Sequence, residues 1–282
     1  MWGGLPCYQK THRQNGMVGP MRSRAEPRTQ RANPSQPLWL GLAALFALSP
    51  ILLDWGLHLA QTPSARYAAI FPVLYLIGLR HDSRAAARKD GYLLLALGVL
   101  LVILSVGGGF TRWGRVAVPI ILIAMVRLSG SGSIRGALTL LWFVPLPHFI
   151  ETRAWPELVL FFGETLSHTP PILESTRIIL ETGGGLLELR PSDAGLTLMA
   201  SLSGISYFAA WQRNESILAT GIRMGAAVLL ALPIQLLAIF FALKLLQGGL
   251  PNAPQLILSA TLWVVSLLWL LVSVPKSTWR PS

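Results

Sequence analysis

Residues 216–246 read SILATGIRMGAAVLLALPIQLLAIFFALKLL, a 31-residue stretch whose only charges are Arg223 and Lys244. A bilayer-spanning helix needs about 20 mostly apolar residues, so this segment is expected to cross a membrane. Seven further apolar segments fall at about 38–57, 66–79, 92–107, 115–128, 134–149, 193–211 and 255–274. The second, fourth and fifth are short and require bilayer thinning or shielding by neighbouring helices. The expectation is an all-α fold: a polytopic transmembrane bundle of about eight spans.

Composition points the same way. Charged residues are 12% of the 282, half the roughly 25% of an average soluble domain. Counting glycine as apolar and leaving out tyrosine raises the 52% hydrophobic content to about 60%, above the usual 45–50% or so. This composition argues against a soluble globular domain. It also argues against disorder over most of the length, since disordered chains are poor in apolar residues.

The chain holds 23 basic and 12 acidic residues, for a net charge of +11. In a soluble protein this excess would suggest nucleic acid, but the basic residues here lie between apolar runs, without a nucleic-acid-binding motif. The lipid bilayer is the expected partner, and no nucleic acid is. Lys and Arg concentrate on the cytoplasmic side of membrane proteins. With the N-terminal arm inside, 16 of the 23 basic residues are inner. They are the six of the arm and Arg80, Arg84, Arg88, Lys89, Arg127, Arg135, Arg213, Arg223, Lys276 and Arg280. Five are outer: Arg112, Arg115, Arg153, Arg177 and Arg190. This asymmetry implies an inner (plasma) membrane protein with both termini cytoplasmic.

Residues 1–37 form a polar, basic arm in which Met17 and Met21 offer alternative starts; 38–275 form the membrane domain and 276–282 a cytoplasmic tail. The first apolar segment lacks a small-residue cleavage pattern and reads as a retained anchor rather than a signal peptide. The single cysteine, Cys7, lies in the arm and excludes an internal disulfide framework or a Cys-based metal site.

The only long outer segment, about 150–192, reads as a small cap. Trp155, Leu158, Val159, Phe162 and Leu166 recur at helical spacing. They suit either an amphipathic helix lying in the interface or one packed on the bundle. Arg177–Leu180 and Leu186–Leu189 flank Glu-Thr-Gly-Gly-Gly185, a short hairpin with glycines at the reversal. Asp193 stands where it would cap the sixth span.

Several patterns follow one another in order: Phe71-Pro-Val-Leu-Tyr-Leu-Ile-Gly-Leu-Arg80, Trp142-Phe-Val-Pro-Leu-Pro147, Ala200-Ser-Leu-Ser-Gly-Ile205 and Ala231-Leu-Pro-Ile-Gln235. Over about residues 66–246 the chain resembles the exosortase/archaeosortase family of membrane-embedded sorting enzymes. The resemblance implies a protease-transpeptidase acting on exported proteins that carry a C-terminal sorting signal made of a short motif, a spanning helix and a basic end. Family members use a Cys in a Cys-Ser-Gly or Cys-Thr-Gly motif, a thiolate nucleophile activated by a neighbouring cation or imidazole.

Leu202-Ser203-Gly204 is the matching motif here, so Leu202 occupies the nucleophile position. The family's Asn and Arg positions fall near Ile239 and Ala242, and no histidine follows His168. The scaffold is thus expected without the family's catalytic groups, as a non-catalytic or divergent copy. A second expectation keeps peptidase activity: Ser201 or Ser203 as nucleophile with Lys244 as the base such a hydroxyl needs. Hydroxyls beside glycine in spans also serve helix packing.

Arg177 and Arg190 are candidate binders of an acidic substrate motif. His148 and His168, 20 residues apart, lack the i,i+4 spacing of a metal pair, and neither a metal nor a cofactor is expected. Nine tryptophans near span ends form an aromatic belt. A small-molecule transporter is the third class, weakened by spans nearly free of Asp and Glu and by the lack of repeated halves.

Overall fold

The computed structural model describes residues 36–61, 63–79, 90–108, 111–130, 132–144, 157, 160–161, 172–174, 177–182, 185–189, 195–250 and 252–275. Among the described residues eight α-helices have defined bounds, in order α1 Gln36–Gln61, α2 Ile70–Leu79, α3 Gly91–Gly107, α4 Thr111–Ser129, α5 Ile134–Ala137, α6 Leu196–Gln212, α7 Ile217–Gln247 and α8 Ala253–Ser273. Two 3-10 segments, Pro63–Ala69 before α2 and Leu138–Phe143 after α5, extend the short helices. Three strands precede α6: β1 Ile172–Glu174, β2 Arg177–Thr182 and β3 Gly185–Leu189. The expected arm (1–37, apart from Gln36 and Pro37), the tail 276–282 and most of Trp155–Leu166 lie outside the described residues.

Each of the eight apolar segments contains a helix, but their lengths separate them. α7 and α8 are long and apolar enough to cross a membrane, by length and composition. The described part of the fifth segment, 134–144, is four α-helical residues and one 3-10 stretch ending at Phe143, with Val144 extended before Pro145. A residue preceding proline avoids the α region, and the ten residues here reach less than a bilayer's thickness.

α3 and α4 pair antiparallel along a seam of small residues. Gly91, Gly98 and Ser105, seven residues apart on α3, face Leu128, Ile121 and Gly114, also seven apart on α4. A β-carbon on Gly91 would lie 2.7 Å from Leu128 Cγ, one on Gly114 2.7 Å from Ser105 Oγ, and one on Gly98 would overlap Ile121. Small residues at a helix interface let two backbones approach closely, the dominant packing device where no hydrophobic force separates helix from lipid.

α6 is the central helix, with 12 of its 17 residues buried. Trp211 lies on Gly78 of α2 and Gly136 of α5, and Phe71 and Trp142 lie on Gly204; a β-carbon at any of the three glycines would clash with these rings. α7 runs antiparallel to α6, with Gly195 against Gln235 at one end and the turn 213–216 at the other. α8 runs parallel to α6: Ser201 bonds Ser266, Trp269 bonds Ser206 and Arg213 bonds Ser273 in register.

Two ends of the bundle differ in chemistry. At one, Arg127 pairs with Asp90, Arg223 with Glu215, Arg135 donates to Thr220 Oγ1 (2.6 Å) and Arg213 to Ser273 O (2.7 Å). At the other, Arg115 pairs with Asp54 (3.1 Å) and sits over the Trp55 ring. The antiparallel sheet β1-β2-β3 also lies there. The hairpin anticipated around the glycines is present, with Thr182 opposite Gly185 and Leu180 opposite Leu187; β1 is an added strand pairing with β2. Leu180, Leu187 and Leu189 are buried against Leu196 of α6, the Ala238–Leu246 part of α7 and Leu258 of α8.

Gly98→Leu is expected to lower stability by about 1–3 kcal/mol, the usual cost of overpacking, read as a fall in thermal midpoint of the detergent-solubilised protein. Gly56→Ala, where nothing lies within 4 Å, is expected to raise it by up to about 1 kcal/mol through helix propensity.

Candidate functional site

The Leu202-Ser203-Gly204 motif lies in the second and third turns of α6, which follows Gly195. That glycine is the N-cap, with φ of 84°, a left-handed conformation that disfavours residues with a β-carbon. The cap makes no side-chain hydrogen bond, and Asp193, the anticipated cap, lies outside the described residues. Gly195 is also the point of closest approach to α7, where a β-carbon would meet Gln235 Cγ at 2.9 Å.

Leu202 is fully buried in a cluster with Leu198 of α6 and Ala227 and Ala231 of α7. Ile239 and Ala242, near the family's Asn and Arg positions, are also fully buried but belong to the separate cluster beneath the sheet. Hydrocarbon therefore occupies all three places, and they do not converge on one point.

Ser201 Oγ is buried and lies 2.8 Å from Ser266 Oγ of α8. Five residues on, Ser206 Oγ accepts from Trp269 Nε1 at 2.8 Å. These hydroxyls cross-link parallel helices. Ser203 is half-buried beside them.

The expected pairing of Ser201 or Ser203 with Lys244 is not formed, for a geometric reason. Lys244 is nine residues beyond Gln235 on α7, about 14 Å along the axis at 1.5 Å per residue. Ser201 and Ser203 are six and eight residues from Gly195 in the opposite direction, about 9–12 Å. With Gly195 against Gln235, the serines and the lysine stand about 23–26 Å apart along the bundle, beyond a bridging water. Lys244 is instead exposed, 3.3 Å from Gln247 Oε1 and over the Phe240 ring at 5.7 Å.

Arg177 opens β2, opposite Glu174 in the ladder, while Arg190, His148 and His168 lie outside the described residues. Among the described residues no group of three His, Cys, Asp or Glu stands together as a metal site would require. The α6–α8 hydroxyl ladder was not legible in the sequence, because Ser201 and Ser266 are 65 residues apart; the serines within an apolar run were its only trace.

Against protein-family models, curated proteins and solved structures, the chain matches none.

The Ser201–Ser266 bond is expected to show as coupling. Ser201→Ala and Ser266→Ala each leave a buried hydroxyl without its partner, costing about 1–3 kcal/mol. The double variant is expected to cost clearly less than the sum in thermal denaturation.

Proposed function

We propose that the chain is a multi-pass membrane protein built on an exosortase-like scaffold, which binds the C-terminal sorting segment of an exported protein without cutting it. The observation carrying this reading is Leu202, fully buried against Ala227 and Ala231 where the resembling enzymes hold a thiol. A peptidase needs a nucleophile and a base within hydrogen-bond reach, and the hydroxyls nearest Leu202 are far from Lys244.

The membrane setting is supported by the outward faces of the helices. Leu93, Leu97, Leu100 and Leu104 of α3, Leu229 and Leu237 of α7, and Leu256, Leu268 and Val272 of α8 are all exposed. Surface apolar area of this extent is foreign to a soluble monomer. On α7 the distance from Arg223 to Lys244 is 21 residues, about 31 Å, with no charge between. That matches a hydrocarbon core of about 30 Å, and the cluster of four arginines favours the cytoplasmic side for that end. The sheet then stands at the outer surface, on the α7 turns beside Lys244, where an incoming sorting segment would first be met.

The native single cysteine makes the topology directly readable. In a Cys7→Ser background, Ser129→Cys at the arginine end is expected to resist an impermeant maleimide in intact cells, and Gln247→Cys at the sheet end to react. Co-expressed with an exported protein carrying a tripartite tail, the chain is expected to be recovered with it after photocrosslinking, the tail uncut. Tail cleavage that disappears in Ser203→Ala would refute the non-catalytic reading.

A further inference from the structure

We propose that the groove between α7 and α8 at the arginine end seats an anionic phospholipid of the cytoplasmic leaflet, one acyl chain along the groove and the phosphate at its arginine rim. The inference rests on the membrane-spanning reading above. The groove is an open depression of about 480 Å³ beside Glu215, Ala219, Ile222, Arg223, Ala226 and Trp269. Ala219, Ile222 and Ala226 recur at i, i+3 and i+7, so they share one face of α7, where the two alanines leave a shallow apolar depression beside Ile222. The opposite wall is Trp269, whose ring is held in place by its bond to Ser206.

Charge selects the headgroup. Arg223 donates through Nε and one terminal nitrogen to the two oxygens of Glu215, which uses two of its five N–H donors. Arg213 is exposed and donates to Ser273 O, one turn beyond Trp269. Arg135 reaches the same end through Thr220. At the groove, Arg223 with Arg213 one helical turn from Trp269, against the single carboxylate of Glu215, leaves a net positive charge. Basic pockets between helices on the cytoplasmic side are where anionic headgroups bind, and guanidinium–phosphate hydrogen bonds are among the strong ones.

A second copy of the chain is the competing occupant, because Gly221 and Gly225, adjoining the groove on α7, have nothing within 4 Å, and a small-xxx-small ridge favours helix pairing. Pairing parallel copies there would bring Arg223 against Arg223, whereas a phosphate neutralises the rim.

The test uses the full chain in detergent, incubated with dioleoylphosphatidylglycerol, dioleoylphosphatidylcholine or glycerol phosphate and read by native mass spectrometry. Expected are one phosphatidylglycerol per monomer, retained several-fold over phosphatidylcholine, and no retention of glycerol phosphate, which lacks a chain. Arg223→Gln is expected to weaken retention about fivefold, as the loss of one basic contact does. Ala226→Phe, which fills the groove from an exposed position, is expected to abolish it, while Leu97→Phe on α3 leaves it unchanged. Equal retention of both lipids, indifference to Ala226→Phe, or a dimer dissolved by Gly225→Leu and unaffected by lipid would each overturn the proposal. Failure of the spanning reading is registered separately, as release of the chain from membranes by alkaline carbonate.

Discussion

The structure depends on burying one helix, α6, on nearly every side. A helix so placed must satisfy two demands together. Its neighbours must approach closely, and its polar side chains must find partners, because a buried hydroxyl without one costs free energy. Glycine meets the first: Gly78 and Gly136 admit Trp211, and Gly204 admits Phe71 and Trp142. The second falls to α8, whose Ser266 and Trp269 take up Ser201 and Ser206. The α3–α4 pair repeats the first solution at the periphery, with Gly91, Gly98 and Ser105 as the points of contact.

The same packing decides what chemistry the centre can host. A hydroxyl hydrogen-bonded to another hydroxyl between two helices has no base to accept its proton, and beside it Leu202 is packed against two alanines. The ion pairs lie at the ends of the bundle and the long exposed apolar faces between them. That distribution suits a body that sits in lipid and presents a small sheet at one face.

The helices were legible in the sequence because apolar runs of this length have few alternatives, and the hairpin because three glycines interrupt two short runs of alternating and β-branched residues. In the fifth segment the described helix ends at Phe143, where Val144, preceding Pro145, turns extended; residues 145–149 lie outside the described ones. Lys244 was misplaced for a subtler reason. Sequence reasoning put it and the Ser201 region at the same end of the bundle, which is sound as topology. It ignored that α7 outruns α6 by several turns beyond Gln235, and that the sheet, with Leu180, Leu187 and Leu189, fills the space so created. Depth along a helix longer than its partner is set by register, and register here is fixed by Gly195 against Gln235, a contact between two residues that sequence alone does not relate.

The most direct test of the central claim, that no hydroxyl–amine centre exists near Leu202, is a distance. Spin labels on Ser203→Cys and Lys244→Cys in a Cys7→Ser background, measured by pulsed dipolar spectroscopy in lipid nanodiscs, should give a single population centred at about 20 Å or more, following helix rise. A dominant population short enough to broaden the continuous-wave spectrum, below about 10 Å, would place the lysine beside the serine and contradict the account.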